Sequence, residues 1–268
     1  MRQALTGIKD SLAQLLLKPV YKVYEKWLWR QIRDKPMPVH VGIIPDGNRR
    51  WAASLGLDKK EGHSRGYERI REVLDWIWEL GIKVTTIYAM SKENCCRREE
   101  SERKHLFKLI RQGFEELLED KRIYDKKVKV RVIGRLDMLP QDVREAARRV
   151  EEATRQHNER ILYVAVCYGG RDEIIDATKK IAVDYKKGKI KLEDFDENLF
   201  SKYLYTAEAP DPDLIIRTSG EERISNFLLW QSAYSELYFA DVYWPEFRKI
   251  DLWRAIRSYQ KRERRFGR

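Results

Sequence analysis

One stretch of this sequence gathers groups able to handle a phosphorylated substrate: His40-Val41-Gly42-Ile43-Ile44-Pro45-Asp46-Gly47-Asn48-Arg49-Arg50-Trp51. The apolar run Val39 to Ile44 reads as a strand buried on both faces. It discharges into one carboxylate, a Gly-Asn turn and two arginines. A metal-bound diphosphate needs a hard oxygen ligand for the cation, close backbone approach at a glycine and forked donors for phosphoryl oxygens. Asp-Gly and Asn are also ordinary turn residues, so the passage alone is equally compatible with a charged surface turn.

Further along, the same kind of cargo recurs. Ser91-Lys92-Glu93-Asn94 follows an apolar run and has Arg97 close behind, and Arg217 is followed by Arg223, Ile224 and Ser225. Lys59 and His63 lie in a polar, glycine-containing stretch between Leu55 and Gly66 that reads as a mobile loop. Taken singly, each arginine reads as a surface ion-pair partner. Taken together, two basic clusters converge on one carboxylate, which suits two diphosphates held side by side with a metal.

Strands must deliver these groups. Apolar runs at Val39 to Ile44, Ile82 to Met90, Val128 to Ile133, Ile161 to Cys167 and Asp213 to Ile216 each end in polar residues. Helical spacing fills the intervals: Arg65 to Leu80, Ser101 to Glu119, Gln141 to Asn158, a helix from Asp172, and one from about Asn226 to Tyr234. This rhythm predicts an α/β fold with a mostly parallel central sheet flanked by helices. Such sheets bind ligands in the crevice beyond the strands' carboxyl ends, where the polar clusters fall.

The chain has 268 residues, a net charge of +11 and 36% charged residues. Its basic balance points to anionic partners without choosing among nucleic acid, acidic lipid and phosphorylated small molecules. The interspersed signs also fit an ion-pair-laced surface. Cys95, Cys96 and Cys167 form no C-x-x-C or Cys/His cluster, which argues against a zinc site or disulfide framework and fits a reducing, cytoplasmic setting. No apolar run approaches the roughly 20 residues that span a bilayer. From Ser11 to Arg33, apolar positions at helical spacing accompany the basic stripe Lys18, Lys22, Lys26 and Arg30. This amphipathic helix could pack on the protein's own body or lie on an anionic membrane surface. With the linker Asp34 to Pro38 it makes an N-terminal segment, 1–38, ahead of a body at 39–268.

From His40 to Gly267 the sequence resembles the cis-prenyltransferases, the undecaprenyl diphosphate synthase family. The carrying motifs are His40 to Trp51, Gly62-His63, Tyr88-Ala89-Met90-Ser91-Lys92-Glu93-Asn94, Tyr168-Gly169-Gly170-Arg171, Ile216 to Glu221 with Arg223 to Gln231, and Glu236-Leu237-Tyr238-Phe239. The resemblance implies a Mg²⁺-dependent, homodimeric enzyme that adds isopentenyl diphosphate units with Z double bonds to an allylic diphosphate, farnesyl or geranylgeranyl diphosphate. It also implies a hydrophobic tunnel between sheet and helices for the growing chain. By position, Asp46 would hold the metal with Glu236. Gly47, Asn48, Arg49, Arg50 and His63 would cradle the allylic diphosphate, and Arg217, Arg223 and Ser225 the isopentenyl diphosphate. Trp51, Lys59, Ser91, Lys92, Glu93, Arg97 and Ile224 are assigned to substrate contact. Asp46 and Asn94 are the catalytic candidates, although a neutral amide is no base, so a substrate diphosphate oxygen positioned by Asn94 is the better proton acceptor.

Some positions depart from the bacterial pattern: Lys59 for arginine, Cys95 for an aromatic, Ser101 for glutamate and Glu222 for histidine. With the N-terminal extension, these resemble archaeal and eukaryotic members. The terminal Arg265-Phe266-Gly267 resembles a tail that reaches a neighbouring active site. Two other readings compete. A non-catalytic accessory subunit would lack the Asp-Gly-Asn-Arg turn, and a nucleic-acid-binding domain would display a continuous basic stripe with exposed aromatics. A nucleotide phosphotransferase is disfavoured by the absence of a G-x-x-x-x-G-K-[ST] loop.

Overall fold

The computed structural model describes residues 19–262. Within it, the β-branched runs form six strands: β1 (His40–Ile44), β2 (Val84–Ser91), β3 (Val128–Ile133), β4 (Arg160–Tyr168), β5 (Leu214–Thr218) and β6 (Glu236–Ala240). All pair in parallel, in the order β3-β4-β2-β1-β5-β6. The fold is therefore α/β, with a sheet more uniformly parallel than the sequence required. β6, whose Glu-Leu-Tyr-Phe-Ala has too weak an alternation to read as a strand, is an addition. Four strands lie on one side of the β1–β5 boundary and two on the other. The chain's order reverses there, and an open sheet leaves its ligand crevice at such a switch point.

Helices α2 (Asn48–Ser54), α3 (Lys59–Glu79), α4 (Lys92–Arg97), α5 (Glu100–Glu119), α6 (Lys121–Asp125), α7 (Gln141–Ala153), α8 (Gly170–Lys186) and α9 (Glu197–Ser201) connect the strands. The stretch read as a mobile loop is mostly helix. Asp58 caps α3 by accepting from Lys60 N at 2.8 Å, and the helix runs on through Gly62 and Gly66. Two glycines cost helix propensity, which is why the sequence reads as a loop. Both are required by contact: a Cβ on Gly62 would lie 2.2 Å from the Asn48 carbonyl oxygen, and one on Gly66 would lie 2.2 Å from Asn48 Oδ1.

The helix expected from Asn226 to Tyr234 is absent. Ser225, Asn226 and Leu228 take positive φ (49°, 65° and 43°), and only a 3₁₀ turn, Gln231–Tyr234, follows. Tertiary hydrogen bonds override the apolar spacing. Asn226 accepts from Gly170 N and Arg171 N and donates to Glu93 at 3.0 Å.

The chain divides into two compact units, 38–247 and 1–37 with 248–268. In the second, residues 19–32 form helix α1 and Lys249–Lys261 form α10. Leu28 and Ile32 are fully buried, Trp29 meets Trp253 at 5.4 Å, and Gln260 Nε2 donates to the Ile32 carbonyl at 3.1 Å. Val20, Val23 and Trp27 stay exposed beside Lys22, Lys26 and Arg30. Ser11 to Lys18 and the Arg265-Phe266-Gly267 tail lie outside the described residues. No helix among the described residues is long and apolar enough to cross a membrane.

Candidate active site

Asp46 leaves β1 at the switch point and is pinned by the neighbouring strand. Its N–H donates to Thr218 Oγ1 at 2.9 Å, and that hydroxyl donates back to the Asp46 carbonyl at 2.7 Å. Gly47 takes φ 102°, where a Cβ would come within 2.7 Å of the Tyr243 ring, and its N–H donates to Asp46 Oδ1 at 2.7 Å. Only glycine fits a left-handed position this crowded.

Arg217, the last β5 residue but one, is 4% exposed and donates Nη2 to Asp46 Oδ2 at 2.7 Å. Its Nη1 donates to Ser225 Oγ at 2.7 Å and to the Arg223 carbonyl. The two basic clusters therefore meet at the carboxylate, as their spacing predicts. Arg50 Nη1 donates to Glu221 Oε1 at 2.7 Å, and Glu221 also accepts from Arg223. Arg223 and Arg50, through their hydrogen bonds and charges, hold the Glu221 carboxyl below its usual range.

A second basic group sits beside the first. His63, on the first turns of α3, is 6% exposed, and its Nε2 lies 2.9 Å from both Glu102 Oε1 and Arg98 Nη1. Burial, more than any neighbour, lowers the His63 pKa. Lys59 Nζ is 3.3 Å from Glu102, and Arg49 Nε 3.9 Å. Glu102 and Arg98 were not singled out from the sequence. Their i, i+4 spacing was the available signal, and Glu102 follows directly on Ser101, where a glutamate was expected.

β2 ends at Ser91, whose hydroxyl accepts from Asn94 N at 3.1 Å and caps α4. Asn94 and Ser91 face the same cavity as Asp46. Contrary to the reading of three unpaired cysteines, Cys95 and Cys167 form a disulfide with Cα atoms 5.5 Å apart, tying α4 to the end of β4 across 72 residues. Pairing of β2 with β4 juxtaposes them, which sequence spacing cannot reveal.

The cavity has a volume of about 1450 Å³. At its mouth are Asp46, Asn48, Arg49, Arg50, Lys59, His63, Arg97, Arg98, Arg217, Arg223 and Ser225. Below, Leu74 and Trp78 of α3, Leu106, Leu109, Ile110, Phe114 and Leu117 of α5, and Leu162 and Val164 of β4 line it. A charged entrance over an apolar well suits a substrate with a diphosphate head and a hydrocarbon tail.

Known proteins share this architecture. The undecaprenyl diphosphate synthase family profile matches residues 44–267. The chain belongs to the undecaprenyl diphosphate synthase family. It is a prenyltransferase. Relatives named tritrans,polycis-undecaprenyl-diphosphate synthase (geranylgeranyl-diphosphate specific) include one from Sulfurisphaera tokodaii, 56% identical over 97% of this chain and 99% of its own length. Another, from Methanopyrus kandleri, is 57% identical over 94% and 93%. Among solved structures, lavandulyl diphosphate synthase from Lavandula x intermedia, crystallised with dimethylallyl diphosphate, superposes with a TM-score of 0.82 at 34% identity, covering 87% of this chain and 99% of that one. A probable undecaprenyl diphosphate synthase from Campylobacter jejuni gives 0.70 at 30% identity, covering 87% and 100%.

Within this prenyltransferase, four of the residues expected at the site stand apart from it. Trp51 Nε1 turns to Glu246 at 3.2 Å, Lys92 pairs with Asp172, and Ile224 packs on the core beside Tyr88 and Phe227. Glu236 opens β6 level with Leu214, three residues or roughly 10 Å upstream of the Arg217 level. It does not meet Asp46 within one chain, because parallel pairing sets the start of one strand against the start of the next. Glu93 lines the cavity while accepting from Asn226. Among the described residues no group of three or more His, Cys, Asp or Glu could cage a metal. Asp46, beside a Glu221 already engaged by Arg50 and Arg223, instead fits Mg²⁺ as it is usually held, by one or two carboxylates and substrate phosphates.

Proposed function

We propose that this enzyme elongates geranylgeranyl diphosphate by repeated condensation with isopentenyl diphosphate, forming Z double bonds and a long-chain polyprenyl diphosphate of the kind used as a glycosyl carrier lipid. The observation that carries the reading is Arg217 clasping Asp46 at 2.7 Å over the mouth of the apolar cavity. Relatives named as specific for geranylgeranyl diphosphate favour that primer over farnesyl diphosphate.

In this reading the allylic diphosphate lies among Gly47, Asn48, Arg49, Arg50, Lys59, His63 and Arg98, with its hydrocarbon in the well. The isopentenyl diphosphate lies against Arg217, Arg223 and Ser225. The allylic C–O bond breaks and its electron pair leaves with the diphosphate. The isopentenyl double bond attacks the allylic carbon, and the proton lost from the adjacent carbon passes to a diphosphate oxygen held near Asn94. Charge accumulates on the departing group, so fixed cations lower the barrier more than they tighten the ground state. Mg²⁺, held by Asp46, would add charge neutralisation on the same oxygens. The apolar walls exclude water from the allylic cation, which would otherwise be hydrolysed.

A second copy of the chain is the proposed partner, supported by exposed Ile175 and Val183 on α8. The setting is the cytoplasm, at the membrane surface. Val20, Val23 and Trp27 of α1, exposed beside Lys22, Lys26 and Arg30, support contact with anionic headgroups. An accessory role fits poorly with a mouth that keeps Asp46 and its arginines, and nucleic acid fits poorly with cations turned inward onto Asp46, Glu102 and Glu221.

The test is incubation of purified protein with Mg²⁺, labelled isopentenyl diphosphate and either primer, followed by sizing of the products. The expected result is a Z-polyprenyl series from geranylgeranyl diphosphate that disappears with EDTA. Absence of any elongation with either primer rejects the reading.

A further inference from the structure

A buried carboxylate sits where the proposed substrate brings more negative charge, and this calls for a reason. Glu102 is 2% exposed. Four cationic or basic groups surround its carboxylate: His63 Nε2 at 2.9 Å and Arg98 in direct contact on one oxygen, Lys59 Nζ, which also meets Glu99, at 3.3 Å from the other, and Arg49 Nε as a longer ion pair at 3.9 Å. Left to themselves these groups would repel one another and turn to solvent, each gaining rotamer freedom. Burial pushes the Glu102 carboxyl up, but the His63 hydrogen bond and the charges of Arg98 and Arg49 outweigh it and hold the group down at about 2, so it stays ionised.

Resting on the reading above, we propose that Glu102 is a positioning residue: an internal anion that holds Arg49, Lys59, His63 and Arg98 in the arrangement the allylic diphosphate then occupies. Its effect runs against simple charge counting. Removing a negative charge from an anion site should tighten anion binding if charge alone mattered. If arrangement matters more, binding weakens, because the incoming diphosphate must then collect four scattered side chains.

Two variants separate these cases. Glu102→Gln removes the charge, and Glu102→Asp keeps it while withdrawing the oxygens by one methylene. Steady-state kinetics with geranylgeranyl diphosphate and isopentenyl diphosphate, inhibition by inorganic pyrophosphate, and thermal melts are measured on the full-length protein. The expected outcome is a roughly tenfold rise in KM for geranylgeranyl diphosphate in both variants, the order of one charged hydrogen bond lost. KM for isopentenyl diphosphate should stay within about twofold, and pyrophosphate should inhibit more weakly. An unchanged or lower KM for the primer in Glu102→Gln overturns the proposal in favour of charge alone. Equal losses for both substrates, or an unfolded Glu102→Asp, overturn it in favour of a structural role. Wild-type protein that elongates nothing rejects the functional reading instead, so the two failures are distinguishable.

Discussion

The two ends of the sheet use the same kinds of residue for opposite purposes. At the amino end of β1, His40 is fully buried, with Nδ1 2.7 Å from the Pro210 carbonyl and Nε2 2.8 Å from Thr86 Oγ1. Asp213 accepts there from the N–H groups of Val39 and His40. These polar groups are absorbed by neighbouring strands. At the carboxyl end, five residues past Val41, Asp46 faces a cavity with Arg217 behind it. Parallel strands start in register, so their amino ends satisfy one another. Their carboxyl ends splay into loops that leave donors and acceptors directed outward. A polar residue at a strand end thus carries functional information only when the end is known.

Substitutions should separate the two ends. The largest effect belongs to Asp46. Asp46→Asn keeps one acceptor oxygen, enough for the Gly47 N–H, but turns the atom facing Arg217 into an amide donor and removes the charge that would hold Mg²⁺. Turnover is expected to fall by roughly 10²–10³-fold, on the scale of losing one transition-state contact, with the melting temperature nearly unchanged. A large drop in melting temperature would place Asp46 with the structural end.

The apolar well should behave differently from both. Phe114 is 1% exposed and lines the cavity from α5. Phe114→Ala is expected to cost about 4 kcal/mol of stability, read from urea unfolding. The rate of a single condensation step should stay within a few-fold, since the cations at the mouth are untouched. A collapse of that rate in folded protein would show that the wall orients the reacting carbons.

The smallest effect tests the amino end. Burial lowers the His40 pKa to about 4 from an ordinary 6.5. A depressed imidazole value means the unfolded chain takes up a proton first, so stability is full above pH 6.5 and drains as pH falls toward 4. Between pH 7 and pH 5 this amounts to about 2 kcal/mol. His40→Gln, neutral in both states, should lower stability at pH 7 and flatten that pH dependence. An equal slope in wild type and variant would remove His40 as its source.

Much of this enzyme was legible before folding. Five of six strands, and the convergence of Asp46, Arg217, Arg223 and Ser225, follow from short apolar runs that end in polar residues. Hidden from that reading were β6, the helical start of α3, the Cys95–Cys167 bond and Glu102. Each depends on a partner distant in sequence: Gly62 and Gly66 make sense only against Asn48, and Cys95 only against Cys167.

Trp51, Lys92 and Ile224 show the converse, with motif membership placing them near the site while local packing turns their side chains away. By itself the sequence determined the alternation of strand and helix, and which residues leave the strand ends, because both follow from backbone preference and hydrophobic period. Only the tertiary structure decided that Glu236 opens its strand at the other end from Asp46, and that a buried carboxylate gathers four basic groups. Register and burial are properties of packed neighbours, and no single segment carries them.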